Sequence, residues 1–378
     1  MRKITPVLWA LLLALLAFAE SPAQKIRMVD GVTVVSNGKK PVAVKGQPSK
    51  ITLVEELTVG GGGGNPDESL SQVSYFVVDR EERVLALDFK EQKIKVYDKT
   101  GKFLRLIGKP GQGPGELGMA SGIQLMADGT IVIEDATNRR LALFKPSGEF
   151  IKNISMTGML GLVNVLLDSK GNAIGREMGL TEGNAKMFFE VKKFDSNLKP
   201  LFTLDKIEVP LPIPGSGAKM NVMDMISGYQ VDPAGNIYYG RNVDYEIKIY
   251  SPEGKHFRTI QKDYDRVKIT QEDIDEMLER VPNTLPGVNI KEMLSFPEYF
   301  SPYQSFFLDD QGRLYVRTFT KGKAKREYVV DVFDPEGRFI AQFVTKSDLR
   351  LWKDGKAYGI EETDEGYQMI KRYAVQTE

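Results

Sequence analysis

Short apolar runs alternate with turn-forming residues along most of the chain, and residues 101–150 hold one full period of the pattern. Apolar and β-branched residues fill 122–126, 130–133 and 141–144, separated by Asp128-Gly129 and by the polar stretch 135–139. A fourth run, 149–154, follows the turn Pro146-Ser147-Gly148. Such short alternating runs, bounded by Gly, Asp, Asn and Pro, favour extended backbone closed by tight turns and predict antiparallel hairpins. The strands of one period form one sheet.

The period recurs. An aromatic residue ends the third strand and a glycine follows four positions on: Tyr97 with Gly101, Phe144 with Gly148, Tyr250 with Gly254, Phe333 with Gly337. Phe194 keeps the aromatic but has Leu198 at the glycine position, and Tyr373 lies too near the C-terminus to have such a turn. The turn between the first two strands gives Asp128-Gly129, Lys170-Gly171, Ala234-Gly235, Gln311-Gly312 and Asp354-Gly355; the first copy, 80–83, lacks glycine. Six four-stranded units, none able to bury both faces alone, predict an all-β six-bladed β-propeller. The sixth copy has strands at 348–352, 356–361 and 367–375 and lacks a fourth. Residues 51–59 supply it, because Gly60 leads to Asp79 over nearly the same span as Gly108 leads to Asp128. An N-terminal strand that closes the ring also removes an open sheet edge.

The expected organisation is a signal peptide at 1–19, an N-terminal hairpin and connector at 20–50, and the propeller at 51–378 with a helical insertion at 263–304. Arg2 and Lys3 precede an apolar run at 4–19, and Ala17-Phe18-Ala19 offers the small residues a signal peptidase needs, with Ser21-Pro22-Ala23 as a second choice. The run falls short of the ~18–20 apolar residues of a membrane span, which favours an export signal over an uncleaved anchor. A periplasmic or secreted product follows, with no transmembrane span after the leader is removed. The hairpin at 25–44, turning at Asp30-Gly31, is expected to pad the closing blade.

Composition works by exclusion. The chain has 378 residues, 42 % of them hydrophobic, which is ample for one large all-β unit. The absence of cysteine excludes a lipid-modified cysteine, a disulfide framework and thiolate chemistry. Charge balances at 51 basic and 51 acidic residues with no basic stripe, so nucleic acid is not an expected partner. The glycine-rich stretches 60–64 and 108–115 match neither G-x-x-x-x-G-K-[ST] nor a strand-to-helix G-x-G-x-x-G. Both lie where one blade crosses to the next, and backbone freedom there accounts for them better than a phosphate cradle.

GKFLRLIGKPGQGPGEL followed by DGTIVIEDATNRRLALFKPSGEFI resembles the NHL-type repeat, in which a Gly-rich crossing precedes a strand, D-G, a strand, D-x-x-N-x-R and an aromatic. Asp135, Asn138 and Arg140 fall on that motif. More widely the chain is similar to exported six-bladed propeller proteins of unassigned function from bacterial envelopes. Their N-terminal D-G-V-x-V-V-x-N hairpin is present as 30–37, together with a late helical insertion. The resemblance covers most of the mature chain and implies a fold far more than a function.

In an up-and-down blade, the first-to-second and third-to-fourth turns share one face of the disc; second-to-third loops and crossings share the other. The long excursions 177–186, 205–224, 263–304 and 319–325 all belong to the second set. Loops on a rigid frame can vary, so the binding surface is expected on that face. Within 263–304, Thr270 and Asp273 resemble a capping box, Glu272, Asp273 and Asp275 suit the positive end of a helix, and Pro282 marks its stop. Ile274, Met277, Leu278 and Val281 share one helical face, which packs as a lid on the rim or docks a partner. Phe296, Tyr299, Phe300 and Tyr303 either stack on a sugar or peptide at the channel mouth or lie beneath the lid, while Phe306 and Phe307 belong to an inner strand. The loop 205–224, with Pro210, Pro212, Pro214 and then Gly215-Ser216-Gly217, forms a wall or flap of the same face, or a solvated excursion.

Catalytic constellations are scarce. The single histidine, His256, follows the turn at Gly254 and faces away from the elaborated side, so neither a Ser-His-Asp triad nor a histidine-ligated zinc is expected. Arg139, Arg140 and Arg317 suit acidic ligands such as uronates or carboxylate peptides, or pair across neighbouring blades. Asp88, Glu134, Asp135, Asn242 and Asp244 end second strands. They form either a calcium site of the kind gluconolactonase-like propellers use or caps for the turn into the third strand. The leading expectation is an exported, non-catalytic scaffold without a cofactor that binds a protein, carbohydrate or peptide ligand in the cell envelope through its insertion-bearing face. The alternative is a calcium-dependent hydrolase or lyase.

Overall fold

The computed structural model describes residues 24–61, 67–156, 161–181, 186–211, 219–224, 227–279, 281, 289–324, 327–363 and 366–378. The expected leader, Pro212, Pro214, the Gly215-Ser216-Gly217 hinge and Pro282 lie outside the described residues.

Six antiparallel blades form the ring, and within each the strands follow one another from the axis outwards. Blade 1 is Val73–Val78, Val84–Asp88, Lys93–Tyr97 and Phe103–Ile107; blade 2 is Ala120–Leu125, Ile131–Asp135, Arg140–Phe144 and Phe150–Ser155. Blade 3 is Leu162–Leu167, Ala173–Leu180, Lys186–Phe194 and Pro200–Pro210; blade 4 is Gly228–Val231, Ile237–Gly240, Glu246–Tyr250 and His256–Lys262. Blade 5 is Tyr303–Leu308, Leu314–Lys321, Tyr328–Phe333 and Phe339–Thr345. Blade 6 takes Asp348–Lys353, Lys356–Glu362 and Gln368–Thr377 from the C-terminus and Ile51–Gly60 from the N-terminal side, paired from Met369 opposite Gly60 to Thr377 opposite Ile51 with one bulge between Arg372 and Tyr373. The ring closes as the strand count requires.

The core is a set of six apolar interfaces, one between each pair of neighbouring blades. Middle strands are covered on both sides, which is why Val84–Asp88 and Ile131–Asp135 are buried at every position, whereas Phe150–Ser155 on the rim is largely exposed. The six third-strand aromatics lie in or against these interfaces, and Tyr97, Phe144, Phe194 and Phe333 are fully buried.

The face opposite the insertions is built from short Asp-capped turns. Asp79 accepts the amides of Glu81 and Arg83, Asp168 those of Lys170 and Asn172, and Asp309 those of Gln311 and Arg313. Each turn then needs a residue at positive φ, which glycine adopts at no steric cost. Where the sequence lacks that glycine the geometry is kept: Glu82 sits at φ +59° and Leu198 at +62°.

Two expectations need correction. The N-terminal hairpin, Gln24–Val29 and Val32–Asn37, does not pad the closing blade. It adds to blade 4, with Val32–Asn37 parallel to His256–Lys262. The closing blade already has its four strands, and the hairpin instead covers an edge that would otherwise stand open. Asn37 clips it to blade 5, donating from Nδ2 to the Gly337 carbonyl at 3.0 Å and accepting the Phe339 amide at 2.8 Å. Much of the 177–186 excursion is also sheet, since Leu180 pairs with Met187 and the outer strand runs alongside to Pro210. Phe189, Ile207 and Val209 form a small apolar cluster there that holds the extension together.

Candidate functional site

Five of the six inner strands carry a bulge at the same level, on the insertion-bearing side. The extra residue is Ser74 in blade 1, Ser121 in blade 2, Gln304 in blade 5 and Arg350 in blade 6; in blade 3 the irregularity lies between Val163 and Leu166. Blade 4 pairs regularly. A bulge re-aims a side chain that the pleat would otherwise turn into a sheet face. Here it brings Ser121 and Arg350 among the polar residues near the axis.

Their contacts run both within and between blades. The Tyr75 hydroxyl of blade 1 donates to Asn164 Oδ1 of blade 3 at 2.9 Å, and Tyr229 of blade 4 donates to the Asn164 carbonyl at 2.6 Å. Glu134 Oε1 accepts the Ser121 hydroxyl at 2.5 Å and Oε2 accepts the Val165 amide at 2.9 Å. Arg176 donates through Nη2 to the Ser227 carbonyl and hydroxyl at 2.8 and 2.7 Å. Asp348 accepts from Arg350 Nη2 at 2.7 Å and also from Arg317, whose guanidinium lies 4.9 Å from the centre of the Tyr328 ring.

The side chains there are crowded yet partly exposed. Tyr75 keeps 37 % of its surface accessible and the Arg350 side chain 36 %. Even so, the surrounding protein desolvates both, raising the Tyr75 hydroxyl and lowering the Arg350 guanidinium. Burial also raises the Glu134 carboxyl, against the opposing hydrogen bonds from Ser121 and Val165. The guanidiniums of Arg176, Arg317 and Arg350 and the carboxylates of Glu134 and Asp348 thus share this end of the blades.

The residues singled out from sequence fare differently. Arg317 is at the mouth. Arg140 is buried and committed, pairing with Asp135 at 3.0 Å and donating to the carbonyls of Gln112, Gly113 and Glu116, so it clamps the glycine-rich crossing. Arg139 is exposed at φ +47° in the adjoining loop. Asp88 accepts the Ser71 amide at 2.8 Å and that of Glu91 at 3.3 Å. Asp135 accepts the amides of Gly118 and Met119, both at 3.1 Å, and the Asn138 side chain at 2.7 Å. These carboxylates cap the crossings within their own blades. Asn242, buried at φ +56°, donates to the Tyr303 carbonyl at 2.9 Å, and Asp244 is exposed between rim clefts of 460 and 300 Å³. Among the described residues no group of three or more His, Asp or Glu side chains is placed to hold a metal ion.

Tyr303 is not at the mouth. It is fully buried between blades 4 and 5 and donates to the Glu246 carbonyl at 2.9 Å, filling the space that Gly240 leaves. Phe296 and Tyr299 are half-buried, the latter under the Arg266 guanidinium at 3.9 Å, while Phe300 stacks on Phe319 with centroids 4.4 Å apart. The helix spans Gln271–Glu279, with the Asp273 amide donating to Thr270 Oγ1 at 3.3 Å and Asp273 accepting the Thr270 amide at 2.9 Å. Ile274, Met277 and Leu278 are half-buried, and an Asp273–Lys321 pair at 2.7 Å ties the helix to the 319–325 excursion. Met220–Asn221 and Leu294–Ser295 join the two long crossings as a parallel pair. His256 lies beyond the turn at Gly254, with Nε2 bonded to the Arg258 carbonyl and Thr259 hydroxyl at 3.0 and 2.8 Å.

Sequence reasoning missed Tyr75, Asn164, Arg176, Tyr229 and Arg350. The only trace of them is a charged or polar side chain inside a short apolar run, as Arg350 is between Leu349 and Leu351. The bulge that turns it towards the axis has no signature of its own.

Among the described residues no helix is long and apolar enough to cross a membrane. A family model, DUF5128, described as a 6-bladed beta-propeller, matches residues 66–156, the stretch that holds blades 1 and 2. No curated protein matches the chain. Among solved structures, a protein of Bacteroides fragilis described as exported aligns with 92 % of this chain and 100 % of its own at 14 % identity and a TM-score of 0.56. A member of the DUF4221 family from Bacteroides vulgatus aligns with 88 % of this chain and 100 % of its own at 12 % identity and a TM-score of 0.51. A virginiamycin B lyase from Staphylococcus aureus, at 10 % identity over 86 % of this chain and 99 % of its own, reaches a TM-score of 0.42, too low to carry an argument. At such identities likeness establishes architecture and no activity; the chain is a six-bladed β-propeller.

Proposed function

We propose that the chain is an exported, non-catalytic binding scaffold whose ligand enters the central channel from the insertion-bearing face. One observation carries the reading: polar side chains from all six blades meet at the channel mouth on the face that bears the long excursions. The leader-like N-terminus supports export. Asp135, Asn138 and Arg140, the positions of the NHL-like motif, act as scaffold in this reading, and the rim aromatics Phe296 and Tyr299 border the entrance.

The absence of cysteine provides the test. Val243, 70 % exposed on the insertion face, and Lys99, exposed on a turn of the opposite face, are replaced singly by cysteine and coupled to a bulky maleimide polymer. Polysaccharides and peptides retained by the mature protein are expected to be lost when Val243→Cys is coupled, to persist with Lys99→Cys, and to be recovered unaltered. Retention that ignores both labels, or a cleaved ligand, counts against the proposal. The calcium-dependent hydrolase or lyase is tested separately: a metal that binds only the folded chain raises its unfolding midpoint by mass action. Calcium and a chelator are expected to give the same midpoint.

A further inference from the structure

We propose that the channel mouth recognises the carboxylate of an acidic sugar, with Arg176 as its charged anchor and the Tyr75 ring as the platform beneath the sugar; this rests on the binding reading above. Arg176 forms no ion pair among the described residues. Its hydrogen bonds to the Ser227 carbonyl at 2.8 Å and hydroxyl at 2.7 Å run to neutral acceptors that fix the guanidinium without cancelling its charge. Across the mouth Arg317 and Arg350 both pair with Asp348. Glu134, which would oppose an anion, is only 3 % exposed and has both oxygens engaged by Ser121 and Val165. An arriving carboxylate therefore meets in Arg176 a guanidinium held by neutral acceptors, the group whose planar donors match it best.

The rest of the lining selects the body of the ligand. Tyr75 is open to water yet held by its bond to Asn164, so its ring is a pre-positioned surface for the C–H edge of a pyranose. Tyrosine, asparagine, serine and arginine supply donors and acceptors for ring hydroxyls. A peptide of equal charge brings flexible side chains that this polar lining does not accommodate, and orders them at an entropic cost.

The test uses the mature chain and three probes in calorimetric titration: trigalacturonate, its methyl ester and triglutamate. Trigalacturonate is expected to bind, with the ester and the peptide each weaker by about tenfold or more, since a charge-assisted contact is lost in one and the ring in the other. Arg176→Gln is expected to weaken trigalacturonate by about tenfold while leaving the ester unchanged, and Arg176→Lys to restore part of the loss. Should Arg176→Gln fail to fold, Arg350→Gln and the ester comparison on the unaltered chain still decide. Equal binding of acid and ester, or an Arg176→Gln chain that binds the acid as before, overturns the proposal, and stronger binding of triglutamate overturns the sugar assignment. If other ligands are lost on coupling Val243→Cys while trigalacturonate never binds, this inference alone fails; if nothing is retained, the binding reading fails with it.

Discussion

The Tyr75 hydroxyl and Asn164 Oδ1 lie 2.9 Å apart and join blade 1 to blade 3 past the intervening blade 2. Asn164 holds φ +56° at the bulged end of its strand, a conformation asparagine tolerates better than most residues, and its carbonyl takes the Tyr229 hydroxyl as well. Three blades are thus tied through one residue. In urea unfolding, Tyr75→Phe is expected to cost about 0.5–1 kcal/mol, the low end for a hydrogen bond because this one is open to water. Asn164→Gly keeps the backbone conformation and should show a coupling of similar size with Tyr75→Phe in a double-mutant cycle. Asn164→Ala should cost about 1 kcal/mol more than Asn164→Gly, since alanine resists positive φ. Equal losses for the two would mean that the bulge does not hold that conformation.

The two turns without glycine make different predictions from the same backbone geometry. Leu198 at φ +62° is only 2 % exposed and packs in the interface of blades 2 and 3, so Leu198→Gly relieves about 1 kcal/mol of backbone strain but removes a buried side chain. Large-to-small changes of that kind cost about 2–5 kcal/mol, and a net loss is expected. Glu82 at φ +59° is half-exposed and makes surface pairs with Lys356 and Arg372 at 2.6 and 3.3 Å. Such pairs contribute about 0–1 kcal/mol, so Glu82→Gly should leave the unfolding midpoint nearly unchanged. A marked loss at Glu82 would show that the ion pairs, not the backbone, set the stability of that turn.

The architecture was legible because it is written in local chemistry. Strand ends are marked by Gly and Asp, the third-strand aromatics recur at fixed places, and the missing fourth strand of blade 6 left residues 51–59 with one position to occupy. The hairpin was legible as a hairpin, but its place was not, because docking on blade 4 depends on Asn37 meeting Gly337 and Phe339 three hundred residues away. Tyr303 failed as a site residue for a similar reason: its burial is decided by Gly240 and Glu246 in the neighbouring blade. The channel mouth was hidden by register. Arg350 and Ser121 are the extra residues of bulges, and a shift of one position reverses where a strand residue points.

Asn37 carries the hairpin's attachment, and its loss should be felt far from the hairpin turn. It is 3 % exposed, donates to the carbonyls of Gln261 and Gly337 and accepts the Phe339 amide. Asn37→Ala strands a buried amide and two carbonyls at the junction of blades 4 and 5, which should destabilise the chain by about 2–4 kcal/mol. Hydrogen exchange resolves the origin: the Phe339 amide should lose protection more than amides of blade 2. Uniform loss across all blades would indicate that the hairpin is a global rather than a local support.

Glu134 makes stability depend on pH in the direction opposite to most carboxylates. Burial raises its folded value above the ordinary 4.5, so the protonated form is favoured in the folded chain. The stabilising contribution of that proton is complete below the ordinary value and is lost as pH rises through the raised one. Glu134→Gln removes the titration while keeping an acceptor for the Val165 amide and a donor for the Ser121 hydroxyl. The variant should therefore gain on the unaltered chain as pH is raised from about 4.5 to 8, measured as the difference in unfolding free energy in urea at each pH. A difference that stays constant over that range would mean the carboxyl titrates as it does in water, and that the hydrogen bonds from Ser121 and Val165 offset its burial in full.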